Sequence, residues 1–318
     1  MEPVKVSILM PSQIVDQAIA STEGDNPRDL LQERDSSVVI KGRAVRVATL
    51  RGEWYVDIDA PEVTVQRLRM LRPAPDIFSF WQRLPDVEPH HSYFMEWDNV
   101  TAIPITTYDD WLTKHADRRP LKKSKTKGIE VRIVPFGNEL LDAISNIFNS
   151  SRVRQGKPMK HYGKTRETLR AEYLPEVERT DFLGAFLNGE IIGFLMLVDG
   201  GSYLNIAQIM SKMEHWDKSP NNALIAKAVE ICAERGVPYL VYTKYYKYQG
   251  VTEFKRRNGF QRINLPRYFI PMTWKGRLGL RLGLHKGVKG LLPDSVRGRL
   301  IAARKAWYSF RSRGKSTE

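Results

Sequence analysis

The chain is poor in cysteine, in acidic charge and in long apolar runs. Cys232 is the only cysteine in 318 residues, so no disulfide can form within the chain. Its place on the apolar face of an expected helix gives it a packing role rather than a nucleophile's. No run reaches the roughly 18 apolar residues of a membrane span, and MEPVKVSILMPSQ has no charged leader before a long apolar core, so the cytoplasm is the expected compartment. His90, His91, His115 and His285 show no His-x-x-x-His or Cys-His spacing, and no metal site is predicted. The chain also lacks the Gly-x-Ser-x-Gly turn of a serine hydrolase and the glycine-lysine loop of a P-loop enzyme.

What charge there is lies unevenly. Of the net +14, residues 273–318 carry +10 and residues 114–127 carry +6, which leaves the remainder slightly acidic. Two basic segments on an otherwise balanced globule imply anionic partners for those segments: a membrane face, nucleic acid or an acidic polymer. The 42% of apolar residues is enough for one large core or two ordinary ones.

The densest structural signal lies within residues 182–260. FLGAF and EIIGFLMLV are strand-favouring runs joined by Asn188-Gly189, a pair that tolerates the positive φ angles of a tight hairpin. A third strand is predicted over 203–210. Ser219 is a good helix N-cap and Pro220 suits the first helical position; helix formers fill 223–235, and Gly236 with Pro238 ends the run. Leu224, Ala228, Ile231 and Cys232 share one helical face, and Lys227, Glu230 and Glu234 lie off it, so this helix should lie on a sheet. A strand over 239–244 and the segment EFKRRNGF complete the series.

Upstream, VVIKGRAVRVATLRGEWYVDIDA predicts strands about an Arg51-Gly52 turn, PEVTVQRLRML a short helix and SYFMEWDNVTAIPI a returning strand. These make a small α+β unit over 1–105. Thr106 or Thr107 then caps a helix carrying Trp111 and Leu112. Strand IEVRIVPF, helix NELLDAISNIF and the polar loop SSRVRQGKPMKHYGK follow, and QRINL and RYFIPMT are the predicted final strands of a second unit over 106–272. Residues 273–318 form a basic helical tail. In it Val296, Leu300, Ala303, Trp307 and Phe310 recur at helical spacing among arginines and lysines. Residues 294–313 therefore suit an anionic membrane surface, a helix packed on its own domain, or, third, RNA.

This order of elements resembles the acyl-CoA N-acyltransferase fold, the GNAT superfamily, and within it the FemAB-like branch. The resemblance implies an α/β (α+β) architecture: a GNAT-like mixed sheet flanked by helices, preceded by a smaller α+β half that reads as a degenerate copy, and followed by the tail. It also implies acyl transfer, in which a thioester arm lies where the third strand and its following helix part from the next strand. GNAT enzymes enter that helix through Gln/Arg-x-x-Gly-x-Gly/Ala, whose bare backbone wraps a pyrophosphate. Here KSPNNAL stands in its place, with Ser219 and Asn221 at the two glycine positions. FemAB-like enzymes take an amino acid from aminoacyl-tRNA and also lack a clean glycine signature. Acyl-CoA with an amine of an envelope or polysaccharide precursor is the first expectation, and an aminoacyl-tRNA donor the second. A degenerate, non-catalytic binding fold is the third.

The resemblance assigns the carbonyl and the donor phosphates to Gln208, Ile209, Met210, Ser219, Asn221, Asn222 and Ala223, with capping alone as the other reading of Ser219 and Pro220. Tyr245 or Tyr246, past the end of a strand, stands where a family acid protonates the leaving group, and Glu214 where some members place a base. His161 has the near-neutral pKa a base needs. It shares a loop with Arg154, Lys157 and Tyr162, read either as an acceptor pocket's roof or as a solvated loop. Glu96 and Asp98, at i and i+2 on one strand face, are placed to hold an acceptor amine or to form a solvated rim. Tyr242 and Lys244 share another strand face and complete the substrate-binding set.

Overall fold

The computed structural model describes residues 38–53, 58, 60–154, 157–245 and 249–287. Strands β1 (Val38–Lys41) and β2 (Val47–Leu50) lead to helix α1 (Pro61–Met70), then β3 (Ile77–Trp81) and β4 (Phe94–Pro104). Helices α2 (Tyr108–Lys114) and α3 (Arg118–Thr126), strand β5 (Glu130–Ile133) and helix α4 (Asn138–Asn149) follow. The short pair β6 (Val153–Arg154) and β7 (Lys157–Pro158) precedes α5 (Arg166–Tyr173). The second half continues with β8 (Thr180–Leu187), β9 (Glu190–Asp199), β10 (Leu204–Ser211), α6 (Pro220–Glu234), β11 (Tyr239–Val241), α7 (Gln249–Arg257), β12 (Gln261–Pro271) and α8 (Trp274–Arg281).

Ten strands share one sheet in the order β1-β2-β3-β12-β4-β11-β10-β9-β8-β5. The β8–β9 hairpin turns at Asn188 (φ 50°) and Gly189 (φ 82°), the conformation that Asn-Gly favours. Strand alternation sends side chains to two layers. Leu183, Leu195 and Leu240 pack under α6, whereas Phe182, Phe194 and Met196 pack with α4 and α5. The α6 face buries Leu224, Ile225, Val229 and Ile231, each contributing roughly 1.5–3 kcal/mol of apolar burial. Cys232 is buried in the same layer, and desolvation pushes its thiol up to about 12.

Several details depart from the sequence reading. QRINL and RYFIPMT are one continuous strand, β12, running between β3 and β4. Pro266 does not break it, because the β12–β3 ladder starts only at Arg267, opposite Trp81, and the Gln82 amide then closes on the Pro266 oxygen. Its missing N–H points to the β3 side, one residue past the last ladder pair, so the pairing with β4 is left intact. Thr107, not Thr106, caps α2, accepting from the Asp110 amide. Strand β11 stops at Val241 rather than Lys244, since Thr243 turns into the left-handed region at φ 50°.

The start of the expected tail is packed. Leu280 is buried with Val45, Ile77 and Phe269, and α8 lies so close that a Cβ on Gly276 would stand 2.0 Å from the Asp76 carbonyl oxygen. Residues 294–313, expected at a membrane surface, lie outside the described residues. No described helix is long and apolar enough to cross a membrane.

Candidate functional site

The parallel pairing of β10 with β11 lasts for two pairs, Leu204 with Leu240 and Asn205 with Val241. Beyond it the strands part. On one side, β10 slips register against β9 between Ile206 and Gln208, a bulge that re-aims the strand. On the other, the chain after β11 follows β4: the Tyr242 amide donates to Thr101 O and the Thr101 amide to Thr243 O, both at 2.8 Å. The half-buried stretch Ala207, Gln208, Ile209 and Met210 thus borders a gap. Gln208 is fixed there by the Tyr173 hydroxyl, which donates to its Oε1 at 2.7 Å.

Lys255, from α7, holds the parted end of β11. Its Nζ, on a residue 3% exposed, donates to Tyr242 O (2.7 Å), Lys244 O (2.9 Å), Thr101 Oγ1 (3.0 Å) and Thr243 Oγ1 (3.1 Å). It also lies 4.5 Å from the centre of the Tyr242 ring. Every oxygen in this set is neutral, so burial pushes the ammonium down to about 8. Backbone oxygens that have left the strand ladder are therefore satisfied by a side chain. Its role is not legible in KRR, where three cations at a helix end look alike and only the fold buries the first.

Helix α6 starts beyond the end of β10 at which the gap opens. Ser219 sits at φ 59° and makes no side-chain cap bond, so capping does not explain it. Asn222 Nδ2 reaches Asn258 Oδ1 at 3.1 Å, tying the helix start to the end of α7. Asn221 Oδ1 is buried and has no hydrogen-bond partner among the described residues. The first-turn N–H groups of a helix favour anions here. Basic α3 adds to this field: the Asp217 carboxyl, two residues before Ser219, is held below its usual range against its own desolvation, first by Lys218 beside it and then by Lys123 and Lys127 at the end of α3.

Arg154 and Tyr242 are brought together. Arg154 stacks 4.8 Å over the Trp216 ring, burial lowers its pKa, and it interacts electrostatically with Tyr242. Burial pushes the Tyr242 phenol up to about 12, against the pull of Arg154. It stays protonated at neutral pH. His161 stacks on Phe148 at 4.7 Å, with Nδ1 buried and unpartnered among the described residues. Burial first, then Lys164 and Lys160, lower its pKa, so it is neutral.

Other candidates lie apart from the gap. Tyr245 is 38% exposed, its amide bonded to Asn99 Oδ1 at 2.8 Å. Tyr246 and the side chain of Lys157 are outside the described residues. The Tyr162 hydroxyl accepts from Arg152 Nε at 3.0 Å on the surface. Glu214 stands on an exposed turn, 3.5 Å from His215 Nε2. Glu96, Asp98 and Lys244 do meet, in a cavity of about 370 Å3 also lined by Ser79, Trp97, Arg267, His285 and Lys286. No cluster of three or more His, Cys, Asp or Glu able to hold a metal occurs among the described residues.

No family model matches the chain, and no curated protein matches it by sequence. Solved structures do. FemX superposes with a TM-score of 0.53 at 10% identity, over 86% of this chain and 99% of that one. The C-terminal domain of a putative lysylphosphatidylglycerol synthetase from Agrobacterium fabrum gives 0.50 at 13%, over 89% and 99%. L-PGS from Bacillus licheniformis gives 0.50 at 12%, over 79% and 86%. The fold is therefore the one shared with FemX and these synthetase domains.

Proposed function

We propose that the chain is a transferase moving an acyl or aminoacyl group from a phosphate-bearing donor to a primary amine. The observation that carries this is the β10–β11 ladder, which ends after two pairs and leaves a gap whose mouth faces the start of α6. A thioester or ester arm would lie in the gap, its carbonyl near the amides of Gln208, Ile209 and Met210, and its phosphates at Ser219, Asn221, Asn222 and Ala223. A neutral amine attacks the carbonyl carbon, the tetrahedral intermediate collapses, and the thiolate or ribose alkoxide leaves with a proton. The amine's own extra proton goes to a base, for which His161 is the neutral candidate. The protonated phenol of Tyr242, facing Arg154, is the better-placed acid; Tyr245 and Tyr246 are the alternatives. No covalent enzyme intermediate is needed.

Of the two donors, aminoacyl-tRNA is favoured by two observations. The positive charge of α3 lies beside the helix start, a field that suits a polyanion, and the glycine positions of an acyl-CoA loop hold Ser219 and Asn221. Acyl-CoA is the second reading. The acceptor is an amine-bearing small molecule or an envelope glycan or lipid precursor, met in the cytoplasm or at the inner face of the membrane. Incubating the full chain with each labelled donor and a panel of amines, with products read by mass spectrometry, tests the reading. Amide formation from either donor supports transfer. Donor binding without product in every pairing would leave a non-catalytic binding fold.

A further inference from the structure

The cavity of about 370 Å3 lies past the end of β11, over β3, β12 and β4, on the opposite side of β11 from β10. Val241 pairs with Ala102, and β4 runs antiparallel, so the chain beyond β11 travels alongside β4 toward Asp98. Lys244 belongs to both places. Its backbone oxygen is in the Lys255 clamp, and its ammonium pairs with Asp98 inside the cavity.

The lining charges alternate in sign. Glu96 Oε1 receives His285 Nε2 at 3.1 Å and Lys286 Nζ at 2.9 Å. Asp98 Oδ2 receives Lys244, with Arg267 standing off at 3.8 Å. The Arg267 side chain is only 15% exposed, with Ser79 Oγ and Glu53 as its other partners at 2.9 Å. Half-buried pairs of this kind are seldom more stabilising than apolar side chains of the same volume, so stability alone does not account for them. The network is loosest at two points: Lys286, whose side chain is 47% exposed, and the 3.8 Å gap between Arg267 and Asp98.

We propose that this cavity binds a zwitterion of the amino-acid type, an ammonium and a carboxylate on one short carbon frame, and that it receives the amine-bearing end of the acceptor. The reason is charge exchange. A ligand ammonium takes the place of Lys286 on Glu96, while the ligand carboxylate takes the free side of Arg267. Lys286, half exposed, is released to solvent while Lys244–Asp98 and Arg267–Glu53 persist, so no half-buried charge is stranded. A ligand with a single charge leaves one half-buried group uncompensated, a cost that discriminates against it. Trp97, 57% exposed at the rim, offers an apolar face to the carbon frame. The acceptor role rests on the transfer reading above; the binding does not.

Calorimetric titration of the full chain with L-lysine, its decarboxylated analogue cadaverine, hexanoate and inorganic phosphate tests it. L-Lysine is expected to bind saturably, with cadaverine and hexanoate weaker by about tenfold or more. Lys286→Ala, which removes the cation the ligand displaces, should leave lysine binding as tight or tighter, whereas Glu96→Gln and Arg267→Gln should each weaken it by about tenfold, with unfolding midpoints recorded so that a misfolded variant is not read as lost binding. No saturable binding of lysine to the wild-type chain, or phosphate or hexanoate binding as tightly as lysine, overturns the proposal. Zwitterion binding without any transfer would sink the transfer reading alone, and transfer to amines regardless of a neighbouring carboxylate would sink this one alone.

Discussion

Lys255 Nζ donates to the Tyr242 carbonyl oxygen at 2.7 Å while lying 4.5 Å from the centre of the same residue's ring. One buried cation thus fixes both the backbone and the side chain of the first residue past β11. Lys255→Met removes a donor shared among four oxygens; Tyr242 O keeps the Thr101 hydroxyl, whereas Lys244 O loses its cation, and a buried acceptor left unsatisfied costs about 1–3 kcal/mol. Thermal unfolding should show a lower midpoint, and hydrogen exchange should speed up at residues 242–245. A midpoint and exchange pattern like the wild type's would mean that the clamp is incidental.

The same lysine gives a signed pH dependence. Its folded pKa is about 8 against an ordinary 10.5, so between those values the unfolded chain binds more protons than the folded one. Stability from this group therefore rises with pH through that window. The wild type should gain on Lys255→Met as pH goes from about 8 to 10, measured by denaturant titration at each pH. A gap that narrows over that range would contradict the burial cost.

Ser219 is held at φ 59° with no cap bond, a conformation that costs a non-glycine residue about 1 kcal/mol. Ser219→Gly should raise the unfolding midpoint, because strain is relieved and no side-chain hydrogen bond is lost. A lower midpoint would show that the hydroxyl has a stabilising role.

The hairpin at Asn188-Gly189 and the helix from Pro220 were legible in the sequence because turn chemistry and helical spacing are local. The single strand β12 was not, since Pro266 reads as a breaker until the end of β3 is known to lie beside it. Glu96, Asp98 and Lys244 were each visible as candidates, yet 146 residues separate Lys244 from Asp98, and only the β4–β11 pairing makes them neighbours. Lys255 was invisible for a different reason: its role comes from burial, and its sequence neighbours Arg256 and Arg257 are ion-paired to Glu253.

Tyr242→Phe removes the buried phenol proton and leaves the ring packed on Phe260, 5.7 Å away. Under the transfer reading, kcat should fall by about 10²-fold or more with little change in KM, as loss of a proton donor acts on the transition state. Tyr245→Phe serves as the comparison. Equal rates for wild type and Tyr242→Phe would move the acid to the loop after Lys244.

Helix α8 packs through Gly276, Gly279 and Leu280, so removing everything from Trp274 onward exposes Val45, Ile77 and Phe269 and leaves Glu96 without His285. Truncation at 273 should lower the unfolding midpoint. Gly276→Ala, which drives a methyl into the Asp76 carbonyl, should cost at least the roughly 1–3 kcal/mol of an overpacked core. A truncated chain as stable as the full one would make α8 dispensable.

Hydrogen exchange with and without donor reads the gap beside β10 most directly. With aminoacyl-tRNA or acyl-CoA present, slower exchange is expected at residues 206–211 and 219–223, while the β8–β9 hairpin stays unchanged. Donor bound tightly with no slowing in either stretch would contradict the placement of the transfer site.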